Sequence, residues 1–292
     1  MFFSIVVPTY NRAHLITKTL QSLLDQTYPD FEIIVVDDGS TDNTEEVVKK
    51  INADKIKYYK IANSERAAAR NYGATKATGD YVNFFDSDDI ALSNHLAEAQ
   101  KAVEKYNFPE VFHLSYAVKN VKTGVEKNSI FKYETCNAVL WQGNYLSCNG
   151  IFLKREVTLQ NPFNEYRKLS ASEDWEMSLR IAARFPFYMI PTVTSVIIDH
   201  DERSVMTFNE SKMLARKNAL INSLAADKVF FAKNKDKLPK IDAHMCSYIS
   251  LHAAITGHKK KAVTYLWKAI QLNIGELFTR RTLGIIKHLI LS

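Results

Sequence analysis

Three carboxylates fall within four positions, Asp86, Asp88 and Asp89, where the aromatic run Tyr81-Val-Asn-Phe-Phe ends. That run follows Gly79-Asp80 and reads as a buried strand, so the acids sit at or just past its carboxyl end. Like charges packed so closely repel unless a cation lies near them. A hard divalent ion bound by carboxylate oxygens, itself holding a diphosphate, would relieve the repulsion. An acidic turn ahead of a helix, with Asp89 or Ser93 as the N-cap, is the plainer alternative. Two other acidic groups stand out: Asp37-Asp38 after a second apolar run, and Glu173-Asp174-Trp175 at the start of an amphipathic stretch. An ionised carboxylate in such a place can accept a hydrogen bond from a ligand or take a proton in a reaction.

The elements that would position these acids are legible in order. Phe2 to Pro8 is an apolar, β-branched run and reads as a strand; Thr9-Tyr10-Asn11-Arg12 is the loop after it. Ile16, Leu20, Leu23 and Leu24 recur at helical spacing. Phe31 to Val36 is a second strand, Asp42 and Glu45 are spaced like a capping box, and Ile56 to Tyr59 is a third strand. Glu65 to Lys76 reads as an Ala-rich helix leading to the Tyr81 strand. Strand and helix alternate, which predicts an α/β fold with a parallel sheet covered by helices on both faces. Ligands of such sheets sit outside the carboxyl ends of the strands, so Asp37/Asp38 and Asp86/Asp88 are expected to face one crevice.

Further on, 110–130 reads as short strands around a turn at Lys122-Thr123-Gly124, Asn149 to Lys154 as another strand, and Glu173 to Arg184 as a helix. Thr192 to Ile198 is a β-branched strand running into Asp199-His200-Asp201. After residue 208 the composition turns helical, with helices expected over 209–233, 241–256, 259–272 and 276–291, separated at Pro239, Gly257-His258 and Asn273. The expected division is therefore a catalytic domain over 1–207 and an α-helical extension over 208–292. The 292 residues carry a net charge of +6, which suits phosphate-bearing ligands or an anionic surface and does not call for a nucleic-acid partner. Three cysteines without disulfide or zinc spacing, no signal-peptide pattern and no membrane-spanning run predict a cytoplasmic protein, with peripheral contact at the inner face of the plasma membrane as an option.

Ser4-Ile-Val-Val-Pro-Thr-Tyr-Asn11, Val36-Asp-Asp-Gly-Ser-Thr-Asp42, Ala69-Arg-Asn-Tyr-Gly73, Phe85-Asp-Ser-Asp-Asp89 and Glu173-Asp-Trp175 occur in that order. Together they resemble the inverting family-2 glycosyltransferases of the GT-A fold, over roughly residues 2–205. The resemblance implies a mixed central sheet flanked by helices and transfer of a sugar from a nucleotide sugar, a UDP-sugar first of all. The implied acceptor is a glycan or a lipid-linked saccharide in cell-surface polysaccharide synthesis. It also implies roles for single residues. Asp38 would accept a hydrogen bond from the base, while Asp37 is either a second nucleotide contact or a brace of its own turn. Pro8, Thr9 and Tyr10 would line the base, with Tyr10 stacking on it. Arg70, followed by Asn71 and Gly73 in the same motif, would fork onto phosphate oxygens; Arg66 reads as a solvated charge. Asp86 would meet the ribose or a metal-bound water, and Asp88 would ligate Mn²⁺ or Mg²⁺. His200 resembles a third metal ligand, with Arg203 and Ser204 as further phosphate donors. Asp174 would be the general base, and its place in a first helical turn favours the charged form. Glu173, Trp175, Asn149 and Gly150 would line the sugar pocket, and Asp89 would cap the next helix.

The last helix combines Phe278, Ile285, Ile286, Leu289 and Ile290 with Arg280, Arg281, Lys287 and His288. Such a helix can pack on its neighbours, join a homodimer or lie on an anionic membrane. Two other functions stay open at this level: a catalytically silent nucleotide- or sugar-binding module, and a nucleotidyltransferase. The latter would want a Gly- and Lys/Arg-rich loop after the first strand, which Pro8-Thr-Tyr-Asn-Arg12 is not.

Overall fold

The computed structural model describes residues 1–199 and 208–291. It contains two compact units, the first built from 1–137, 146–165 and the described part of 185–203, the second from 138–145, 166–184 and the described part of 204–292.

The first unit holds the whole sheet. Strands β1 (Phe3–Thr9), β2 (Phe31–Asp37), β3 (Ile56–Lys60) and β4 (Tyr81–Phe84) lie parallel in the order β3-β2-β1-β4. They are joined through α1 (Ile16–Leu24), α2 (Thr44–Ile51) and α3 (Arg66–Lys76). Then follow β5 (Ile90–Ala91), α4 (His95–Lys105), β6 (Val111–Asn120), β7 (Glu126–Ser129), β8 (Ile151–Lys154), α5 (Arg155–Gln160) and β9 (Tyr188–Asp199). These extend the sheet as β4-β8-β6-β9-β5, with β7 beside β6. Both β4–β8 and β8–β6 are antiparallel, so the sheet is mixed rather than wholly parallel. β1 and β2 are buried at all seven positions each, as a central strand covered on both faces must be. Gly73 lets α3 lie against β1, since a Cβ there would come within 2.3 Å of Val6 Cγ1.

An acid near the start of β2 also lies in this core. Glu32 in β2 is buried and accepts hydrogen bonds from Ser4 Oγ (2.7 Å), the Thr78 amide (2.8 Å) and Lys57 Nζ (2.7 Å). Burial alone would push its carboxyl up, but the donors from Lys57, Ser4 and Thr78 together outweigh burial and hold it below 4.5. A depressed carboxyl stabilises the folded state above its unfolded value and loses that contribution as pH falls through the folded one. Glu32→Gln is therefore expected to cost about 1–3 kcal/mol near neutral pH. In thermal unfolding the gap from wild type should close as pH drops below 4.5.

The second unit consists of α6 (Glu173–Ala182), α7 (Glu210–Ala226), α8 (Lys228–Asn234), α9 (Leu238–Ile255), α10 (Lys259–Leu272) and α11 (Arg280–Leu291), with short 3₁₀ turns between some of them. The single helix expected over 209–233 is two helices. Asp227 separates them because its carboxylate accepts the Phe230 amide at 2.8 Å as the cap of α8 and pairs with Arg184 Nη2 at 2.8 Å. Pro239 does not separate helices; it sits in the first turn of α9, where its missing N–H costs nothing. The last expected helix begins later, at Arg280, after a 3₁₀ turn over Ile274–Phe278. Glu176 of α6 is fully buried; it pairs with Arg180 Nε of the same helix at 2.8 Å and accepts the Ser223 hydroxyl at 2.6 Å, and that hydrogen bond ties α6 to α7.

Candidate active site

Four strand ends of the first unit are laced together on the carboxyl side of the sheet. The Asp38 amide donates to Thr9 O (2.8 Å), which joins the end of β2 to that of β1. Asn11 has φ +50°, a left-handed conformation that Asn tolerates, and its Oδ1 accepts the Thr41 amide at 2.8 Å while its own amide meets Ser40 Oγ at 2.9 Å. Pro8 and Thr9 are buried in β1, and Tyr10 keeps 45% of its surface exposed at the mouth of this loop.

Asp37 braces its own turn: one oxygen accepts the Ser40 amide at 2.7 Å and the other the Tyr58 hydroxyl at 2.6 Å. Burial and that carboxylate together push the Tyr58 phenol well up. Asp38 reaches the loop before α3, accepting the amides of Ser64 (2.7 Å) and Glu65 (2.9 Å). Glu65 has φ +78°, which costs a non-glycine residue about 1–3 kcal/mol and persists only under such restraint.

The three acids of the turn after β4 are each compensated in a different way. Asp86 pairs with Arg70 Nη2 at 2.7 Å, and that guanidinium is buried and stacked 5.2 Å from the Phe163 ring centre. Asp88 lies 3.9 Å from Arg12 Nε. Asp89 is fully buried and accepts Asn149 Nδ2 and the Ile198 amide, each at 2.8 Å. Asp89 is therefore not a helix cap. α4 begins at His95, and the fixed donors from β9 and the Asn149 loop claim the carboxylate instead. The repulsion that pointed to a metal from sequence is thus met in part by Arg70 and Arg12. Asp86 and Asp88 remain partly accessible hard-oxygen donors, a set that fits Mg²⁺ or Mn²⁺. Among the described residues no three His, Cys, Asp or Glu side chains gather into a ligand cluster. His200, Arg203 and Ser204 lie outside the described residues.

Asn149 is fully buried, and its amide is the joint of this turn: Oδ1 accepts the Asp86 amide at 2.9 Å, and Nδ2 donates to Asp89. Gly150 permits the approach, because a Cβ there would stand 2.3 Å from Leu114 O. Asn71 binds Phe163 O at 2.9 Å and the Phe163 amide at 2.9 Å, fixing the loop that carries the ring under Arg70. Arg12, Phe163 and Asn63, whose Nδ2 donates to Asp38 O at 2.9 Å, carried no signal in the sequence, because their partners are remote along the chain.

The remaining acidic motif belongs to the second unit. Asp174, in the first turn of α6, accepts the Trp175 amide at 2.7 Å on Oδ1 and Asn144 Nδ2 at 3.1 Å on Oδ2. Glu173 is buried. Trp175 is only 2% exposed; its indole N–H donates to Leu140 O at 2.9 Å and its ring lies 5.2 Å from His244. Burial drives His244 down to about 3, with the Arg281 charge adding to it, so the imidazole is neutral beside Trp175.

A mixed sheet whose parallel half presents Asp38 and an Asp-Ser-Asp turn at its carboxyl edge, with Arg70 of α3 beside that turn, is the arrangement of the GT-A fold. Residues 4–159 match the model of Glycosyl transferase family 2, and the chain belongs to that family. It is 27% identical over 289 residues to a GalNAc(5)-diNAcBac-PP-undecaprenol beta-1,3-glucosyltransferase of Campylobacter jejuni, covering 93% of this chain and 89% of that one. It is 35% identical over 162 residues to the UDP-Glc:alpha-D-GlcNAc-diphosphoundecaprenol beta-1,3-glucosyltransferase WfgD of Escherichia coli, covering 55% and 62%. Among solved structures, TarS 1–349 of S. aureus in complex with UDP-GlcNAc superposes with a TM-score of 0.71 at 20% identity, over 99% of this chain and 89% of that one. The chain spans between 16% and 62% of the length of five uncharacterised glycosyltransferases that it matches.

Proposed function

We propose that this glycosyltransferase takes a hexose or N-acetylhexosamine from a UDP-sugar and places it, with inversion, on a saccharide carried by a lipid diphosphate. The observation that carries the donor half is the set formed by the buried Asp38 at the end of β2, the buried Arg70 of α3, and the partly accessible Asp86 and Asp88 after β4. The acceptor half rests on the diphosphoundecaprenol substrates named for two relatives. In this reading Tyr10 stacks on the uracil and Asp38 accepts its ring N–H, at the expense of one of its present backbone donors. Arg70 stays in place as a cation held rigid by Asp86 and Phe163. A divalent ion on Asp88, with Asp86 close by, would neutralise charge on the departing diphosphate. Asp174 takes the proton of the attacking hydroxyl, and the anomeric carbon inverts in a single displacement without an enzyme-bound sugar. Asn149 and Gly150 hold the acidic turn of the first unit, and Glu173 and Trp175 hold the first turn of α6 around Asp174, rather than acting on the bond.

Titration calorimetry with UDP, GDP, CDP and dTDP, each with Mn²⁺ and with chelator, tests the donor half. UDP should bind best, and both Asp88→Ala and chelation should weaken it by about tenfold or more. Equal binding of all four nucleotides, or UDP affinity untouched by Asp88→Ala, would remove the donor and metal assignments. Release of pyrophosphate rather than nucleoside diphosphate would point to nucleotidyl transfer.

A further inference from the structure

Residues 259–292 hold seven Lys and Arg against a single Glu, a net charge of +6, which is the net charge of the whole chain. All the excess positive charge is therefore concentrated in α10, the 3₁₀ turn after it and α11, while the preceding 258 residues balance to zero. The one acid, Glu276, is buried, so the outer surface of this segment is cationic. The same segment exposes large apolar side chains: Phe278 at 82%, Ile290 at 74%, Ile274 at 66% and Trp267 at 60%. Those exposures are not the fringe of a loose core. Ala262 of α10 and Ile285 of α11 join Ala253 and Ala254 of α9 in one buried cluster, with Leu289 packed against it. Ile285 and Leu289 thus belong to the packed side of α11. Leu283, Ile286 and Ile290 form the opposite side, flanked by the exposed Arg280 and Lys287. On α10, Val263 and Trp267 lie one turn apart on the outer side with Lys260 beside them.

We propose that this outer face of α10, the 3₁₀ turn and α11 is a membrane-docking surface that seats Trp267, Phe278 and Ile290 among the acyl chains of an anionic bilayer, with Lys260, Arg280 and Lys287 at its headgroups. Charge decides the occupant. A symmetric contact between two copies would bring this cationic face against itself, a like-charge arrangement that the segment's one acid, the buried Glu276, does not relieve. An anionic lipid surface offers both an apolar interior and complementary charge, and an exposed Trp and Phe suit the interface between them. Among the described residues no helix is long and apolar enough to cross a membrane, so this surface lies on the bilayer rather than spanning it. The inference needs neither the UDP assignment nor the identity of the acceptor, and its readout is binding rather than turnover.

The test is co-sedimentation of the full chain with vesicles of phosphatidylcholine alone and of phosphatidylcholine mixed with phosphatidylglycerol, at low and high salt. Binding should need the anionic lipid and weaken with salt. Trp267, the exposed one of the three tryptophans, should blue-shift its emission on binding. Trp267→Ala with Phe278→Ala, and separately Lys260→Glu with Lys287→Glu, should each cut partitioning about tenfold or more. These side chains are exposed, so an unchanged circular dichroism spectrum should show that the variants fold. The proposal is overturned if the wild type fails to sediment with either vesicle or if both double variants bind as wild type. A concentration-dependent dimer that Phe278→Ala dissolves, with no vesicle binding, would likewise overturn it and assign the face to a second copy.

Discussion

Asp174→Asn is expected to lower kcat by roughly 10²–10⁴-fold while leaving the affinity for UDP unchanged. The change is nearly isosteric, and an amide can still accept the Trp175 amide at the Oδ1 position. What it loses is the ability to take a proton. The other oxygen now accepts Asn144 Nδ2 at 3.1 Å, a bond at the long end of the useful range and therefore exchangeable for a substrate hydroxyl. If Asp174 serves as the base, kcat and kcat/KM for the acceptor should fall together, because the lost interaction exists only in the transition state. Asn144→Ala should give a smaller loss in kcat, since it frees the carboxylate without removing its basicity. Turnover of Asp174→Asn within a few-fold of wild type would dismiss the assignment. It would direct attention to Glu173, although that side chain is buried.

What could be read from the sequence followed a clear physical line. Strand ends, and the acids placed on them, depend on apolar runs and turn residues that are local, so β1 to β4 and the positions of Asp38, Asp86 and Asp88 were within reach. The fates of those acids were not, because each depends on a partner remote along the chain. Asp86 meets Arg70, Asp88 lies near Arg12, and Asp89 is held by Asn149 and by Ile198. Placing Asp89 at a helix start followed from counting forward to the next helix, and nothing in the sequence marks the donor from β9. The mixed character of the sheet was legible through the family resemblance alone, since strand–helix alternation by itself points to a parallel sheet. β8 inserts between β4 and β6 in antiparallel sense, a pairing that no local pattern specifies. The amphipathic reading of α11 named Ile285, Ile286, Leu289 and Ile290 as one apolar set, and only the fold divides it, with Ile285 and Leu289 on the packed side.

The joint between Asp89 and Asn149 leads to the second large effect. Asp89→Ala should destabilise the first unit by roughly 2–5 kcal/mol, since it strands the buried donors of Asn149 and Ile198. Asn149→Asp should be at least as damaging, because it sets a second carboxylate against Asp89 Oδ2, which Asn149 Nδ2 now approaches at 2.8 Å. Asp89→Asn turns one amide hydrogen pair towards another donor and should fall between these two. The double exchange, Asp89→Asn with Asn149→Asp, rebuilds the network with reversed polarity. The aspartate introduced at 149 accepts the Asp86 amide on one oxygen and the new amide at 89 on the other. The asparagine introduced at 89 keeps an oxygen for the Ile198 amide. Thermal unfolding of the four forms gives a double-mutant cycle, and the double exchange should be more stable than the worse single variant by about 1–3 kcal/mol. Simple addition of the two losses would show that the hydrogen bonds contribute independently. It would also mean that Asn149 does not hold the acidic turn through Asp89. Restored stability with metal-dependent UDP binding still weak would separate the two roles of the turn, its folding through 89 and 149 and its ligand chemistry through Asp86 and Asp88.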